Sequence, residues 1–194
     1  MPNESVLIVR GLVVVSVVLF SSAVGAELTD KEKQERRGEI DVQTEKILSE
    51  LYEVSPAARS PIKSAAGYAV FSNFGMKILF AGGGSGKGLA LNNRTGERTY
   101  MKMLEVQAGF GFGAKKFKLI WLFTEASDFD KFVNAGWEFG AQATAAASIG
   151  EEGGSIQGAM SISPGVWLYQ LTGDGFALEL TAKSTKYSKN DDLN

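Results

Sequence analysis

Short apolar runs separated by turn residues and glycines fill residues 67–123, GYAVFSNFGMKILFAGGGSGKGLALNNRTGERTYMKMLEVQAGFGFGAKKFKLIWLF. Such runs are typical of β-strands, and six are predicted here, at residues 68–71, 78–81, 88–91, 98–101, 109–113 and 119–123. The polar residues 92–96 predict the turn of a hairpin. Residues 119–123 are apolar on both faces and predict a central strand. Many short strands joined by tight turns predict a mainly antiparallel sheet that is strongly curved or barrel-like.

The chain before this stretch has the pattern of helices. Thr29 is placed to cap a helix that begins at Asp30. Its apolar residues recur on one helical face, at Ile40, Ile47, Leu48, Leu51 and Tyr52. We expect this stripe to face the protein's own core rather than a membrane. Ser55 and Pro56 predict the end of this helix and the start of a shorter one.

The residues after 123 return to helix and then to strand. Thr124 is the predicted N-cap of a helix with Phe129, Phe132 and Val133 on its apolar side, ending at Gly136. Apolar residues alternate over 137–147, and further strands are predicted at 156–162, 166–171 and 176–181. The predicted fold is α+β, with N-terminal helices (27–66) packed on a β-rich core (67–194) that contains one inserted helix. Residues 27–194 are expected to form one domain.

The first 26 residues have the pattern of a secretory signal peptide. Arg10 precedes a short apolar run, and small residues lead to Ala26, after which the sequence turns polar. The alternative is a membrane anchor, but the run is shorter than the ~20 apolar residues that span a bilayer. We therefore expect cleavage after Ala26 and a periplasmic or secreted product.

The composition excludes several kinds of active site. The chain has 194 residues, of which 44% are hydrophobic and 22% charged, and it contains no Cys and no His. Thiol nucleophiles, Ser-His-Asp triads, zinc sites built on thiolate or imidazole and disulfide bonds are therefore excluded. A hydrolase would need carboxylates. We expect no catalytic residues, no metal site and no cofactor.

Charge is unevenly distributed along the chain. Residues 67–120 hold eight basic and two acidic side chains, whereas residues 121–194 hold four basic and ten acidic ones. A basic segment in a nearly neutral chain indicates an anionic partner. The alternative is that acidic C-terminal strands lie beside the basic segment and neutralise it.

Residues 115–118, Lys-Lys-Phe-Lys, form the densest basic cluster. In a strand, Lys116 and Lys118 share one face, and Lys115 and Phe117 share the other. An exported chain rarely meets nucleic acid, so we expect a phospholipid surface, with six candidate contacts: Lys77, Lys87, Arg94, Lys115, Lys116 and Lys118. The alternative is that these lysines only protect a strand edge from pairing with another chain.

Residues 81–88, AGGGSGKG, are similar to a phosphate-binding P-loop but depart from it in two ways. Ala81 stands where the motif needs glycine, and Gly88 stands where it needs Ser or Thr. The residues that follow are strand-like rather than helical, so no helix N-terminus faces a phosphate. We expect these glycines to allow close strand approach instead.

Taken in order, several segments resemble the SYLF family. The landmarks are 67–71 (GYAVF), 82–88 (GGGSGKG), 106–109 (VQAG), 122–125 (LFTE), Phe132, 136–140 (GWEFG) and the C-terminal residues 185–194. The resemblance covers roughly residue 38 to the C-terminus. It implies phospholipid binding, as in bacterial exported relatives and in eukaryotic phosphoinositide-binding ones, and no enzymatic activity. The actin binding of eukaryotic members is not expected of an exported chain.

Three hypotheses of function follow. The first is an exported, non-enzymatic module that binds anionic phospholipid or a membrane surface through its basic strand face. The second is a structural or protein-interaction module of the cell envelope. The third is a carboxylate-dependent hydrolase, which predicts a deep pocket with two facing acids.

Overall fold

The computed structural model describes residues 27–139, 156, 158–172, 175–176 and 184–194, with the backbone alone at 74–81, 107–115, 139, 175–176 and 184. The fold is α+β, with an N-terminal helix packed on a curled antiparallel sheet, which confirms the predicted class. The predicted signal peptide lies outside the described residues. In the described part of the chain, no helix is both long enough and apolar enough to span a bilayer.

The first helix, α1, runs from Asp30 to Val54 without a break at Gly38. A capping box begins it: Glu32 N donates to Thr29 Oγ1 at 3.3 Å, and Thr29 N donates to Glu32 Oε2 at 2.9 Å. Its buried residues are Ile40, Thr44, Ile47 and Leu51, which form one stripe. The stripe packs on the sheet, which confirms the predicted orientation.

Pro56 ends α1, as predicted. A 3₁₀ turn, Pro56–Ala58, leads into the short helix α2, Arg59–Ser64. The first strand begins at Gly67.

A long ribbon of two strands forms the centre of the sheet. Strand β1, Gly67–Asn92, pairs with β2, Arg98–Phe123, in antiparallel register from Gly67 opposite Phe123 to Leu91 opposite Arg98. The predicted hairpin turn is confirmed, since Asn92 Oδ1 accepts bonds from Arg94 N and Thr95 N, and Gly96 has φ 74°. The predicted breaks within residues 67–92 are wrong, because one strand runs through them with only a register shift between Leu79 and Ala81.

The ribbon doubles back, so that the two halves of β1 lie side by side. A Cβ built on Gly86 would stand 2.7 Å from Ser72 O, and one built on Gly88 would stand 2.4 Å from Val70 O. Glycine is required at these two positions because the neighbouring backbone leaves no room for a side chain. This is the close strand approach that the glycine-rich sequence predicts.

Asn93 holds the doubled ribbon to the helices. Its Nδ2 donates to Ile62 O at 2.7 Å and to Ala65 O at 3.0 Å, and its backbone N donates to Ala66 O at 3.0 Å. The hairpin turn is therefore fixed beside the start of β1.

Within the described residues, five shorter strands extend the sheet. They are β3 (Trp137–Phe139), β4 (Met160–Ser163), β5 (Val166–Thr172), β6 (Gly175–Phe176) and β7 (Ser184–Lys189). Strand β5 pairs with β2 over residues 118–123, and β4 and β6 pair with β5. Strand β7 pairs with β2 over residues 101–106, and β3 pairs with β7. Residues 119–123 thus lie between β1 and β5, which confirms the predicted central strand.

The C-terminal strand predictions have mixed outcomes. The strand predicted at 166–171 is confirmed, whereas the one predicted from residue 156 begins only at Met160. Of the strands predicted at 137–147 and 176–181, only residues 137–139 and 176 are described, and the rest lies outside the described residues. Strand β7 was not predicted.

One face of the sheet, called here the α3 face, packs on helix α3 (Ala126–Asn134). Phe129, Phe132 and Val133 of this helix are buried among apolar strand residues, as predicted. The predicted cap is wrong, because the N-cap is Glu125 and it makes no side-chain cap bond. Thr124 Oγ1 instead donates to Gly165 O at 3.3 Å, at the turn between β4 and β5. Gly136 follows the helix with φ 71°, as expected at a helix end.

The other face, the α1 face, is covered by α1 in two places. Ile47 and Leu51 pack on a cluster that includes Val70, Ile120 and Tyr169. Ile40 packs on a second cluster of Leu89, Tyr100 and Leu193, beside the C-terminal 3₁₀ turn Asp191–Leu193. Between and beside these two clusters the α1 face carries polar and charged side chains.

Candidate functional site

A cleft of about 960 Å³ lies between α1 and the α1 face of the sheet. Residues 39–47 of α1 form one wall, and β1, β2 and β7 form the rest. The basic side chains that line it are Lys87, Lys102, Lys116, Lys118 and Lys186. We call this the lysine cleft.

Strand register explains why the lysines converge. Lys87 of β1 lies directly opposite Lys102 of β2. Two residues further along β2, Leu104 is opposite Lys186 of β7. Near the other end of β2, Lys118 is opposite Ser72 of β1. Because side chains of a strand alternate between faces, these positions all project to the α1 face.

Four of the five lysines form no ion pair with a carboxylate that the structure describes. In the described part of the chain, no carboxylate forms an ion pair with Lys87, Lys102, Lys116 or Lys186, and all four are exposed. The direct Lys87–Lys102 pair puts two like charges on adjacent strands, with Cβ atoms roughly 5 Å apart, which is unfavourable. The described lining of the cleft is therefore positively charged. An anion bound there would reduce the repulsion between Lys87 and Lys102.

Lys118 differs from the other four because Glu50 of α1 forms an ion pair with it. Both side chains of this pair are about 30% exposed. Glu39 is the acidic residue in the cleft wall, and Glu138 of β3 stands opposite Lys186 in the strand register.

Among the described acidic residues of the C-terminal segment, none forms an ion pair with a lysine of the cleft. Strand β7, which lies beside the basic part of β2, brings Lys186 and Ser188 to the cleft. Three acidic residues of the segment, Glu125, Asp128 and Asp130, lie at or in α3, which packs on the opposite face. Glu138 of this segment stands opposite Lys186 in the strand register.

The floor of the cleft reaches residues of the α3 face. Met103 and Phe117 line the cleft, although both belong to the buried cluster on the other side of the sheet. Asn73 also lines it and is buried, with its Nδ2 donating to the buried carboxylate of Glu105 at 2.9 Å. Among the described residues, the Oδ1 atom of Asn73 has no hydrogen-bond partner.

Two aliphatic side chains stand exposed beside the lysines. Leu104 is 59% exposed and Val106 is 58% exposed, and both lie on the α1 face of β2. Large aliphatic side chains that are this exposed next to a basic cluster are suited to contact the boundary between headgroups and acyl chains.

The six predicted contact residues fall into three groups. Lys87, Lys116 and Lys118 line the lysine cleft. Arg94 is exposed in the hairpin turn and does not line it. The backbones of Lys77 and Lys115 lie in β1 and β2, but their side chains lie outside the described residues.

Alternation at the basic cluster is confirmed for its described members: Lys116 and Lys118 share the α1 face, and Phe117 is buried on the other. Two cleft residues were missed, Lys102 and Lys186. Lys102 could have been found by counting back from the hairpin turn, since Leu91 opposite Arg98 puts Lys87 opposite Lys102. For Lys186 the only signal was the alternation of residues 185–188.

The glycine-rich segment that resembles a P-loop lies inside β1, and no helix follows it. Among the described residues, no group of three or more acidic side chains is placed to hold a metal ion. The described lining of the cleft contains a single carboxylate, Glu39, whereas the hydrolase hypothesis requires two that face each other.

Several tyrosines have a raised pKa because burial disfavours the phenolate. Burial raises the pKa of Tyr169, on the α1 face, from 10 to about 12. Burial also raises the pKa of Tyr187, on the α3 face, where the charge of Glu105 adds to the effect. At Tyr100, burial and the nearby Asp41 carboxylate both raise the pKa.

Comparison with known proteins gives one informative match. No family model matches the chain. The chain is 30% identical over 166 residues to Beta cell expansion factor A of Aeromonas veronii, a match that covers 86% of this chain and 62% of that protein. The chain therefore spans less than two thirds of the length of this curated relative.

Proposed function

We propose that this protein is an exported, non-enzymatic module that binds anionic phospholipid at a membrane surface through the lysine cleft. The observation that carries the proposal is the convergence of Lys87, Lys102, Lys116 and Lys186 from three strands onto one face, with no ion-pair partner among the described residues. Each lysine near an anionic membrane contributes about 1 kcal/mol of attraction.

The surroundings of the lysines favour a lipid over a soluble anion. Leu104 and Val106 stand exposed on the same face and would enter the headgroup region when the lysines meet phosphate. The resemblance of the sequence to the SYLF family supports the same ligand class. The proposed export rests on the signal-peptide pattern of residues 1–26.

The test is co-flotation with vesicles of phosphatidylglycerol and phosphatidylcholine, against vesicles of phosphatidylcholine alone. The protein should float only with the anionic vesicles, and less at high salt, because salt screens exposed charges. A variant with Lys87→Glu, Lys102→Glu and Lys116→Glu should bind at least roughly a hundredfold more weakly.

The matched control carries Lys31→Glu, Lys63→Glu and Lys131→Glu. These lysines are exposed, lie on the three helices and do not line the cleft, so the control has the same net charge as the test variant. Equal losses in the two variants would mean that overall charge, and not the cleft, governs binding.

Absence of flotation at low salt would end the proposal. If a pull-down then recovered one protein in stoichiometric amount, the alternative of an envelope protein-interaction module would be supported instead.

A further inference from the structure

We infer that the lysine cleft selects lipids whose headgroup carries hydroxyl groups and no ammonium group, as a glycerol phosphodiester does. The lysines contact the phosphate, and Gln43 and Thr44 of α1 hydrogen-bond to the headgroup hydroxyls. This inference rests on the proposed function and adds the class of headgroup. The hydrocarbon chains stay in the membrane, so only the headgroup enters the cleft.

The first step of the argument is an interruption in the apolar stripe of α1. Ile40 packs on one apolar cluster of the α1 face, and Ile47 packs on the other. The positions three and four residues after Ile40, which lie on the same side of the helix, are Gln43 and Thr44. A helix that only packed on a sheet would have apolar residues there. Both residues instead line the lysine cleft, so α1 presents hydrogen-bonding groups to it.

The second step is that these polar groups are free to bind a ligand. Gln43 is half-buried and Thr44 is 5% exposed. Within the described residues, neither side chain makes a hydrogen bond to the protein, and the same holds for Ser72 and Ser188 on the strands that line the cleft. An amide and a hydroxyl both donate and accept hydrogen bonds, so they pair well with the hydroxyl groups of a polyol.

The third step is the exclusion of a positively charged headgroup. The described lining of the cleft contains five lysines and a single carboxylate, that of the exposed Glu39. The ammonium group of an ethanolamine, serine or choline headgroup would add a further cation beside Lys87 and Lys102, which already repel each other. A glycerol headgroup adds no cation. The cleft should therefore distinguish between anionic lipids that have the same net charge.

The fourth step is the size and position of the cleft. Its volume of about 960 Å³ is at the upper end of the range for single small-molecule sites, which is about 300–1,000 Å³, so a headgroup fits. The cleft lies between α1 and the strands, and the exposed Leu104 lines it together with Lys87 and Lys102. A headgroup that enters at this exposed side meets lysines on the strands and Gln43 on the helix.

The experiment measures binding to three kinds of vesicle and to one soluble probe. The vesicles contain equal fractions of phosphatidylglycerol, phosphatidylserine or phosphatidylethanol in phosphatidylcholine, and the soluble probe is glycerophosphoglycerol. The three anionic lipids have the same net charge. Phosphatidylserine differs by its ammonium group, and phosphatidylethanol lacks both an ammonium group and headgroup hydroxyls.

The test variant is Gln43→Met, which keeps the length of the side chain and removes its amide. Its control, Gln34→Met, makes the same change at an exposed position of α1 outside the cleft. A second variant, Thr44→Val, removes the other hydrogen-bonding group of α1 with little change of shape and tests the inference if Gln43→Met folds poorly.

We expect the wild-type protein to bind phosphatidylglycerol vesicles at least roughly fivefold more tightly than either of the other two, which is the effect of about one hydrogen bond. Glycerophosphoglycerol should bind far more weakly than the vesicles, because it brings one charge rather than a charged surface to the lysines. Gln43→Met and Thr44→Val should each at least halve the preference for phosphatidylglycerol over phosphatidylethanol. Gln34→Met should keep the wild-type preference.

Two results with the wild-type protein would overturn the inference and leave the proposed function standing. One is equal binding to phosphatidylglycerol and phosphatidylserine vesicles, and the other is equal binding to phosphatidylglycerol and phosphatidylethanol vesicles. A preference that neither α1 variant reduces would also overturn it, since the contact with α1 is part of the inference.

Other results would remove the proposed function as well. If the wild-type protein binds none of the three vesicles, the proposed function fails together with the inference. Binding of glycerophosphoglycerol as tight as that of phosphatidylglycerol vesicles would identify a soluble phosphodiester, rather than a lipid, as the ligand of the cleft.

Discussion

The two faces of the sheet are built from the same strands but differ in how they are covered. On the α3 face, Phe71, Trp121, Phe123 and Phe132 pack with Tyr187 in edge-on and tilted ring contacts, with centroids 4.9–6.2 Å apart. On the α1 face, one helix covers two clusters and leaves lysines exposed beside it. The difference leads us to expect that the α3 face supplies most of the stability, while the proposed binding uses the α1 face.

The largest expected effect tests the α3 face. Phe132 is 1% exposed and contacts several of these rings, so Phe132→Ala should lower the free energy of unfolding by about 3–5 kcal/mol. Urea unfolding measures it. The control Ser127→Ala, at an exposed site on the same helix, should change stability by less than about 0.5 kcal/mol. A loss below about 1 kcal/mol in Phe132→Ala would contradict the assignment of this face as the stabilising core.

The second largest expected effect is a loss of folding stability at alkaline pH, which tests one buried tyrosine on each face. The pKa of Tyr169 is raised from 10 to about 12, so the folded chain keeps this proton at pH values where the unfolded chain loses it. This contribution to stability is complete below about pH 10 and is lost as the pH rises to about 12, on the order of 2 kcal/mol.

Urea unfolding at a series of alkaline pH values measures this loss. Tyr169→Phe should remove the part of this stability loss that is due to the buried phenol on the α1 face. Tyr187→Phe should remove the part that is due to the buried phenol on the α3 face. If stability is unchanged between about pH 10 and pH 12, the burial of both phenols would be refuted.

The smallest expected effect concerns Lys102 on the α1 face. Its replacement should change the free energy of unfolding and the affinity for anionic vesicles in opposite directions. Lys102→Ser removes the like-charge pair with Lys87 and should raise the free energy of unfolding by about 0.2–1 kcal/mol. The same substitution should weaken binding to anionic vesicles roughly fivefold, the equivalent of one lysine contact. Lys63→Ser is the control, since Lys63 is exposed on α2 outside the cleft. A destabilised Lys102→Ser variant would mean that the pair is not repulsive.

Local patterns predicted most of the fold. Thr29 and Pro56 mark the two ends of α1, and residues 92–96 mark the hairpin, because capping and turn chemistry depend on neighbouring residues only. The doubling of the ribbon was not predictable in this way. The sequence pattern of the glycines at 82–84 is typical of a strand end. In the structure, the strand continues, and Gly86 and Gly88 leave space for the backbone of another part of the same strand.

The site was predictable only in part, for the same reason. Lys116 and Lys118 were found because alternation within one strand fixes their face. Lys186 joins them through the pairing of β7 with β2, and Glu50 reaches Lys118 through the packing of α1. Both are contacts between residues far apart in the chain, and no local pattern specifies them.

The Asn93 contacts have a kinetic consequence. Asn93 can bond to Ile62, Ala65 and Ala66 only when the hairpin turn has come beside the start of β1, which requires the ribbon to be already bent. Interactions that are absent from the folding transition state slow unfolding without speeding folding. We therefore expect the Asn93 bonds to form after the folding transition state and to lengthen the lifetime of the native state rather than to speed folding.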